Sequence, residues 1–420
     1  MDDNQEFSLK TDVEEIDEED VLEVIEFDGM ELDQPMEEDD NDSAEEPEMD
    51  EEENMVDDNC LARFTLHSQP VFCISSHPVS SNIIVSGGAD DLAHIWDSSD
   101  GSEIMRLDGF KDSVSCAEFS NDGSYLACAS VDGLIKVWRN VDEDRFARWE
   151  FLIDLESTDE VTWLSWHSKG NLLLVGSSDG MVSMWQIPSG KNIQVFAGHT
   201  AMVTCGCFTP DGKSIVTGSE SSELIQWDPK TGQAVQRVRL DEGRFRFKVT
   251  NEEDDSNFGI NSLAVNSSST ICAVGGISNG GLRVINLQSG SIIGSLDEHQ
   301  PDASVSVGIY EPKGIGGGLP VIVSAGTDGL VYLYDASTFK LRSSMNHQDG
   351  VTSLVIHKNH PRLTTGSMDK TSITWDLRTG KELQRNVGHH DLVHQVRLNS
   401  DETRLVSCSD DGTVCVFKNN

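Results

Sequence analysis

The sequence predicts an all-β chain: an eight-bladed β-propeller preceded by a disordered, acidic N-terminal tail. Three observations carry this expectation. One short pattern returns eight times after residue 86, its spacing is about forty residues, and each unit divides into short β runs separated by turn residues. A period near forty with four short strands per unit is the mark of a propeller blade.

The tail comes first in the chain. Residues 1–60 hold 29 Asp or Glu and a single Lys, Lys10, so most of the net charge of −43 sits there. A like-charged run with few aromatics buries too little apolar surface to offset its conformational entropy. Residues 1–58 are therefore expected to be disordered and 59–420 to fold. One apolar island, Val21-Leu22-Glu23-Val24-Ile25-Glu26-Phe27, interrupts the acids and reads as a short recognition segment, beside the plainer reading of a merely less acidic stretch. A spare β run, residues 61–66, then precedes the first unit, while the last unit has no outer strand of its own after Phe417. Residues 61–66 are expected to pair with that last blade and remove an exposed edge.

The blades follow. Each unit ends on an aromatic residue or a substitute: Trp96, Trp138, Trp185, Trp227, Ile285, Tyr334, Trp375 and Phe417. Six residues before the closing position stands an Asp in six units: Asp90, Asp132, Asp179, Asp328, Asp369 and Asp411. Ser221 and Asn279 take that place in the other two. Within a unit, alternating apolar and β-branched residues bounded by Pro, Asp and Gly read as strands. The longest spacing falls before Ile285, where residues 241–260 form an insertion carrying the basic, aromatic run Arg244-Phe245-Arg246-Phe247-Lys248.

On these residues the chain resembles the WD-repeat family over roughly residues 61–420. Gly198-His199, Gly388-His389, Trp96-Asp97, Trp227-Asp228 and Trp375-Asp376 match the family's two dipeptide marks, in phase with the repeat. The resemblance implies an internal polar network in each blade, joining a His, a Ser or Thr, the turn Asp and the closing Trp. Two units match it throughout: His67, Ser86, Asp90 and Trp96, then His347, Thr365, Asp369 and Trp375. Such a chain lets buried polar groups satisfy one another and locks the loops of the blade. The fifth unit lacks the His, the Asp and the Trp. Seven blades is the commoner number in the family; eight are counted here.

A propeller exposes a top face built from the loops that enter the innermost strand and the turns between the second and third strands. Reading each unit in register places Phe72, Asp112, Asp159, Glu160, Met202, Asp302, Asp349 and Asp391 at the first of these, and Asp91, Glu220, Glu223 and Asp410 at the second. This rim is acidic, with Phe72, Trp163, Met202 and Leu392 as apolar anchors. Carboxylates around a concave mouth attract the Lys and Arg side chains of a peptide. The plainer reading, that these are ordinary solvated turn acids, stands beside it.

Composition narrows the rest. A strongly acidic protein repels nucleic acid and anionic membrane, so no direct nucleic-acid binding is expected. No signal peptide and no membrane span are expected, because no basic start or long apolar run occurs. Nine cysteines, odd in number and mostly inside β runs, suit reduced thiols in cytosol or nucleus. Cys205-Gly206-Cys207 has the wrong spacing for a zinc knuckle and reads as packing. His67, His199, His299, His347 and His389 fall at one repeat position and read as structural. His389-His390 with His394 lies in a loop entering a strand, so it offers no helical metal pair. Gly314-Ile315-Gly316-Gly317-Gly318 lacks the Lys and helix of a phosphate cradle and reads as a hairpin connection. No catalytic set stands out. The expectation is a non-enzymatic binding platform with no cofactor and no metal, monomeric, and in the cytoplasm or also the nucleus.

A narrower likeness rests on the acidic tail with its island, then VFCISSHP, GGADDLAHIWDSSDG and GFKDSVSCAEFS. These segments are similar to the group of the angio-associated migratory cell protein of animals and its fungal relative that chaperones a ribosomal protein. The resemblance implies an eight-bladed propeller that shields the basic N-terminal segment of a large-subunit ribosomal protein before assembly. The alternative is a multi-partner scaffold in signalling, migration or angiogenesis-type processes. A ubiquitin-ligase substrate receptor is a third reading, for which the mouth lacks basic or phosphate-reading residues.

Overall fold

The computed structural model describes residues 58–142, 145–244, 259–312 and 319–419. The recognition island, most of the acidic tail, residues 245–248 of the basic run and the glycine-rich stretch 314–318 lie outside the described residues. Within them the fold is all β, an eight-bladed propeller of eight four-stranded antiparallel sheets. None of the described residues forms a helix.

Each blade runs from the ring axis outwards as strands a, b, c and d. The eight a strands are Val71–Ser76, Val114–Phe119, Val161–Trp166, Val203–Phe208, Ile260–Val265, Val305–Tyr310, Val351–Ile356 and Val393–Leu398. Each packs beside the next, and the eighth packs beside the first, which closes the ring. Blade eight takes its outer strand from the other end of the chain. Ala62–Phe64 pairs antiparallel with Val414–Lys418, with Ala62 opposite Val416 and Phe64 opposite Val414.

Burial follows the same geometry. Strands b and c are nearly all buried, as in Ile83–Gly88, whereas the d strands alternate exposed and covered residues, as in Ser102–Leu107. The apolar core is divided into eight clusters, each shared by two neighbouring blades. A blade cannot bury both faces by itself, so stability comes from stacking blade on blade around the ring. The closing residues Trp96, Trp227, Ile285, Tyr334 and Phe417 lie in this core, almost wholly covered.

Trp163 shows how tightly two blades meet. Its indole is buried between the third and fourth, and Nε1 donates to the carbonyl of Val203 at 3.1 Å. A Cβ on Gly176 would come within 2.1 Å of that ring, and one on Gly206 within 2.4 Å. Glycine at both positions gives the indole its room. Gly206 lies between Cys205 and Cys207, whose thiols are both pushed up to about 12 by burial.

The fifth blade, which lacks the repeat's polar residues, forms the same four strands. In place of the usual network it buries Arg283, whose Nη1 donates to Asp297 at 2.5 Å and to the carbonyl of Leu282 at 2.9 Å. A charge that deep requires such a partner.

Candidate functional site

Strand register fixes which ends share a face. In blade one, Val71 at the start of strand a lies opposite Gly88 at the end of b, Gly87 opposite Ala93 at the start of c, and Ala93 opposite Leu107 at the end of d. The loops entering strand a and the b–c turns therefore share one face, the top, in every blade.

On that face four acids occupy one structural position, two residues before strand a. Asp112, Asp159, Asp349 and Asp391 are all exposed. Each carboxylate turns back on its own loop: Oδ1 accepts from the following backbone N–H, in Ser113, Glu160, Gly350 and Leu392, at 2.7–2.9 Å. One oxygen orients the side chain, and the other accepts no hydrogen bond from the described residues. The four belong to blades two, three, seven and eight, so with blade one they lie on a continuous arc of five. Glu160 is half-buried beside Asp159, and Met202 is half-buried on blade four, where the arc ends. Asp302 is exposed on blade six.

The centre of this arc differs chemically from the rest of the ring. In seven blades a β-bulge falls at the second residue of strand a, dropping it from the register with strand b. A bulge re-aims the side chain of the extra residue. In five blades that residue donates to the carbonyl of the first residue of the neighbouring a strand: Ser115 to Val161, Thr162 to Val203, Thr204 to Ile260, Asn261 to Val305 and Thr352 to Val393, at 2.5–3.3 Å. Blades eight and one carry His394 and Phe72 instead. Their rings meet edge to face at 5.4 Å across the blade boundary, and His394 Nε2 lies 2.5 Å from Asp410. The site is thus an acidic arc with a half-buried aromatic pair at its middle. Sequence reasoning weighed His394 only as a metal ligand and did not place it at the rim. The available signal was a His at a register position that holds Ser, Thr or Asn in six of the other blades and Phe72 in the seventh.

Three expectations are corrected. Glu223 is not a free rim acid, because both its oxygens accept from Arg237 Nη1 at 3.1 and 3.2 Å. Trp163 is no rim anchor, since it is buried between blades. Trp96 stands outside the polar network of its blade: Nε1 finds no partner, and the indole stacks on Phe64 of the closing strand at 5.1 Å with the planes 11° apart. The rest of that set is joined, with His67 Nδ1 3.0 Å from Asp90 and Nε2 2.9 Å from Ser86. In blade seven all four members are linked. His347 bridges Asp369 at 2.9 Å and Thr365 at 2.7 Å, and Trp375 Nε1 donates to Thr365 Oγ1 at 2.8 Å.

Asp369 shows what the network does to charge. Burial pushes its carboxyl up, but hydrogen bonds from His347, Thr371 and the Gln348 backbone outweigh that and hold it well below the usual carboxylate range. His67, Asp90 and His94 bring ligand-type atoms within 4.8 Å of one another. Both ring nitrogens of His67 are already engaged, and His94 Nδ1 lies 2.6 Å from Glu103, which leaves the set one unpartnered nitrogen, His94 Nε2. That arrangement ties loops together and leaves too few lone pairs for a metal. Along the channel a cavity of about 280 Å³ is lined by Ser75, Cys116, Glu118, Trp163, Gln395 and Arg397 among others. Burial pushes Glu118 up to about 7, against the pull of Arg397, and Oε2 has no partner. Cys116 beside it is pushed up to about 11 by burial, so it stays a thiol at neutral pH.

Comparison with known proteins places this geometry. The profile described as WD domain, G-beta repeat matches residues 58–97, 101–139, 190–228, 339–376 and 380–418, and that of the anaphase-promoting complex subunit 4 WD40 domain matches 126–206. An uncharacterized WD repeat-containing protein of Schizosaccharomyces pombe is 36% identical, over 95% of this chain and 96% of its own. The human angio-associated migratory cell protein is 30% identical, over 86% of this chain and 80% of its own. The crystal structure of Chaetomium thermophilum Sqt1 bound to the N-terminus of the ribosomal protein L10 superposes with a TM-score of 0.76 at 25% identity, over 86% of this chain and 100% of that one.

Proposed function

Because the chain belongs to the WD40-repeat family, in the group of the angio-associated migratory cell protein, we propose that it is a non-enzymatic escort for a basic client. The client is a large-subunit ribosomal protein, held by a basic segment on the top face before ribosome assembly. The observation that carries this is the acidic arc, in which Asp112, Asp159, Asp349 and Asp391 repeat one geometry on blades two, three, seven and eight. The aromatic pair at its centre adds support, as does the ribosomal-protein N-terminus bound by the structurally similar Sqt1. Charge-assisted hydrogen bonds to Arg and Lys are strong and steer a basic segment to the mouth. Phe72 and Met202 supply apolar contact beside them, and Glu160 extends the acidic edge. This reading places the protein in the cytoplasm, where it acts as a monomer.

The test is capture from cytosol at low and at high salt, paired with the quadruple variant D112N/D159N/D349N/D391N. One dominant basic ribosomal protein, lost at high salt and lost by the folded variant, is the expected result. Equal capture by wild type and variant would refute the arc as the binding face. A broad, salt-resistant set of signalling proteins would refute the escort reading in favour of a scaffold.

A further inference from the structure

The channel carries its charges on one side. At the fifth residue of strand a, blade two has Glu118 and blade eight has Arg397, with Ser75 of blade one between them. The other blades place Ser165, Cys207, Ala264, Ile309 and Val355 there, none of them charged. Glu118, Arg397 and Ser75 line two cavities. One, of about 280 Å³, also takes in Ser115 and Thr162 near the start of the a strands; the other, of about 310 Å³, takes in Asn121 and Ser400 beyond their ends. The two charges thus stand where the upper channel passes into the lower. Neither is paired directly. No hydrogen bond from the described residues reaches Glu118, and its Oε2 is fully buried. Arg397 donates once, from Nη1 to the carbonyl of Val396 at 3.2 Å, which leaves most of its N–H groups unused. Gln395 beside them accepts from the Ile74 backbone through Oε1 at 2.9 Å, and its Nε2 donates to none of the described residues.

We propose that this part of the channel binds a free aliphatic amino acid, its carboxylate on Arg397 and its ammonium on Glu118. Buried charges are costly unless they are paired and hydrogen-bonded. Arg283 meets that requirement with Asp297, whereas Glu118 and Arg397 face a common cavity without a direct bond between them. A third body that carries both charges satisfies the two at once. A bare cation would meet Arg397, and a bare anion would meet Glu118; a zwitterion finds a partner at each end.

The surroundings fit that class of ligand. A guanidinium fork matches a carboxylate in two parallel bonds, and a carboxylate accepts charge-assisted bonds from an ammonium. Gln395 Nε2 adds a neutral donor. Ile74, Trp163 and Leu164 line the upper cavity and Val355, Ile356 and Leu398 the lower, which supplies apolar surface for an aliphatic side chain. Volumes near 300 Å³ lie at the small end of ligand pockets, where a few placed polar groups in an apolar wall fix orientation. The site is built on the channel wall and uses none of the rim carboxylates, so it stands apart from the reading of the arc.

The experiment is isothermal titration calorimetry of the full-length protein with L-leucine, beside leucinamide, which lacks the carboxylate, and N-acetylleucine, which lacks the ammonium. Binding of one leucine per chain is expected. Each analogue should bind about tenfold more weakly or worse, because either leaves one buried charge without its partner. Glu118→Gln and Arg397→Gln should each weaken leucine binding by a similar factor, with folding checked by a melting curve. Glu118→Gln removes no hydrogen bond made by the described residues, so it carries the test if Arg397→Gln fails to fold. No binding of leucine, valine or methionine at millimolar concentration would overturn the proposal and leave water as the bridge between the two charges. Equal affinity for leucine and either analogue, or leucine binding unchanged in folded Glu118→Gln, would overturn it as well.

Discussion

Thr352 Oγ1 donates to the carbonyl of Val393, from the bulged second residue of one a strand to the first residue of the next. The bulge makes this contact possible. A residue in regular register would point its hydroxyl elsewhere, as blade six shows: its a strand has no bulge, Ser306 pairs with Ala325, and no such bond runs from it to blade seven. Five of these bonds join neighbouring blades near the channel mouth, so the geometry that opens the top face also fastens it.

Replacing Thr352 by Val keeps the shape and removes the donor. The variant should lose about 1 kcal/mol of unfolding free energy, the usual net worth of such a bond. Ser306→Val, at the same strand position without the latch, should change stability by well under that. Urea denaturation of the two variants side by side decides; equal losses would mean the bonds add nothing.

The Asp–His pairs give the fold a pH dependence with a definite sign. Asp369 is held below its ordinary value of 3.8 in the folded state. A carboxyl lowered on folding contributes stability that is fully present above its unfolded pKa and is lost as pH falls through the folded one. Asp369→Asn should therefore be less stable than wild type by about 1–3 kcal/mol at pH 7, as for a hydrogen bond to a charged group. The gap should narrow as pH drops below about 4. A gap constant from pH 7 to pH 3 would show that the charge is irrelevant.

Much of this was legible in the chain. The closing residues, from Trp96 to Phe417, recur because each stands at the end of the third strand of a blade and all but the half-buried Trp185 are buried there. Ile285 sits in the same place as the tryptophans, so the period survived even where the polar residues did not. What stayed hidden depends on contacts between units. Nothing local to Trp163 shows that Gly176 on the next strand and Gly206 in the next blade make room for it. Glu223 looks like a turn acid until strand d brings Arg237 beside it. The bulge at His394 leaves no mark in apolar alternation, and that is why the aromatic pair escaped notice.

Glu118 runs opposite to the network aspartates. Its folded pKa is raised from 4.5 to about 7 by burial. A carboxyl raised on folding costs stability, a cost absent below about 4.5 and complete above about 7. Glu118→Gln should gain on the order of 1–3 kcal/mol at pH 8, because each tenfold change in proton affinity is worth ~1.4 kcal/mol and water keeps some access to the channel. The gain should vanish as pH falls toward 4.5. Melting curves of both proteins at pH 5 and pH 8 test it; a loss at pH 8 would mean that the carboxylate holds the channel together.

Phe72 separates binding from folding at the top face. It stands where five other blades carry a latch, so removing its ring breaks no bond between blades, and it is only half-buried. Aromatic residues at the centre of a charged rim are the usual anchors of a bound segment, each typically worth more than ~1 kcal/mol. Phe72→Ala should weaken binding of an arginine- and lysine-rich peptide about tenfold, equivalent to about 1.4 kcal/mol. It should cost less stability than truncating a buried residue such as Phe64. Fluorescence anisotropy with a labelled basic peptide, beside a melting curve, reads both quantities. Unchanged affinity in a folded variant would make the Phe72–His394 contact a packing substitute for the missing latch, and binding would then rest on the carboxylates alone.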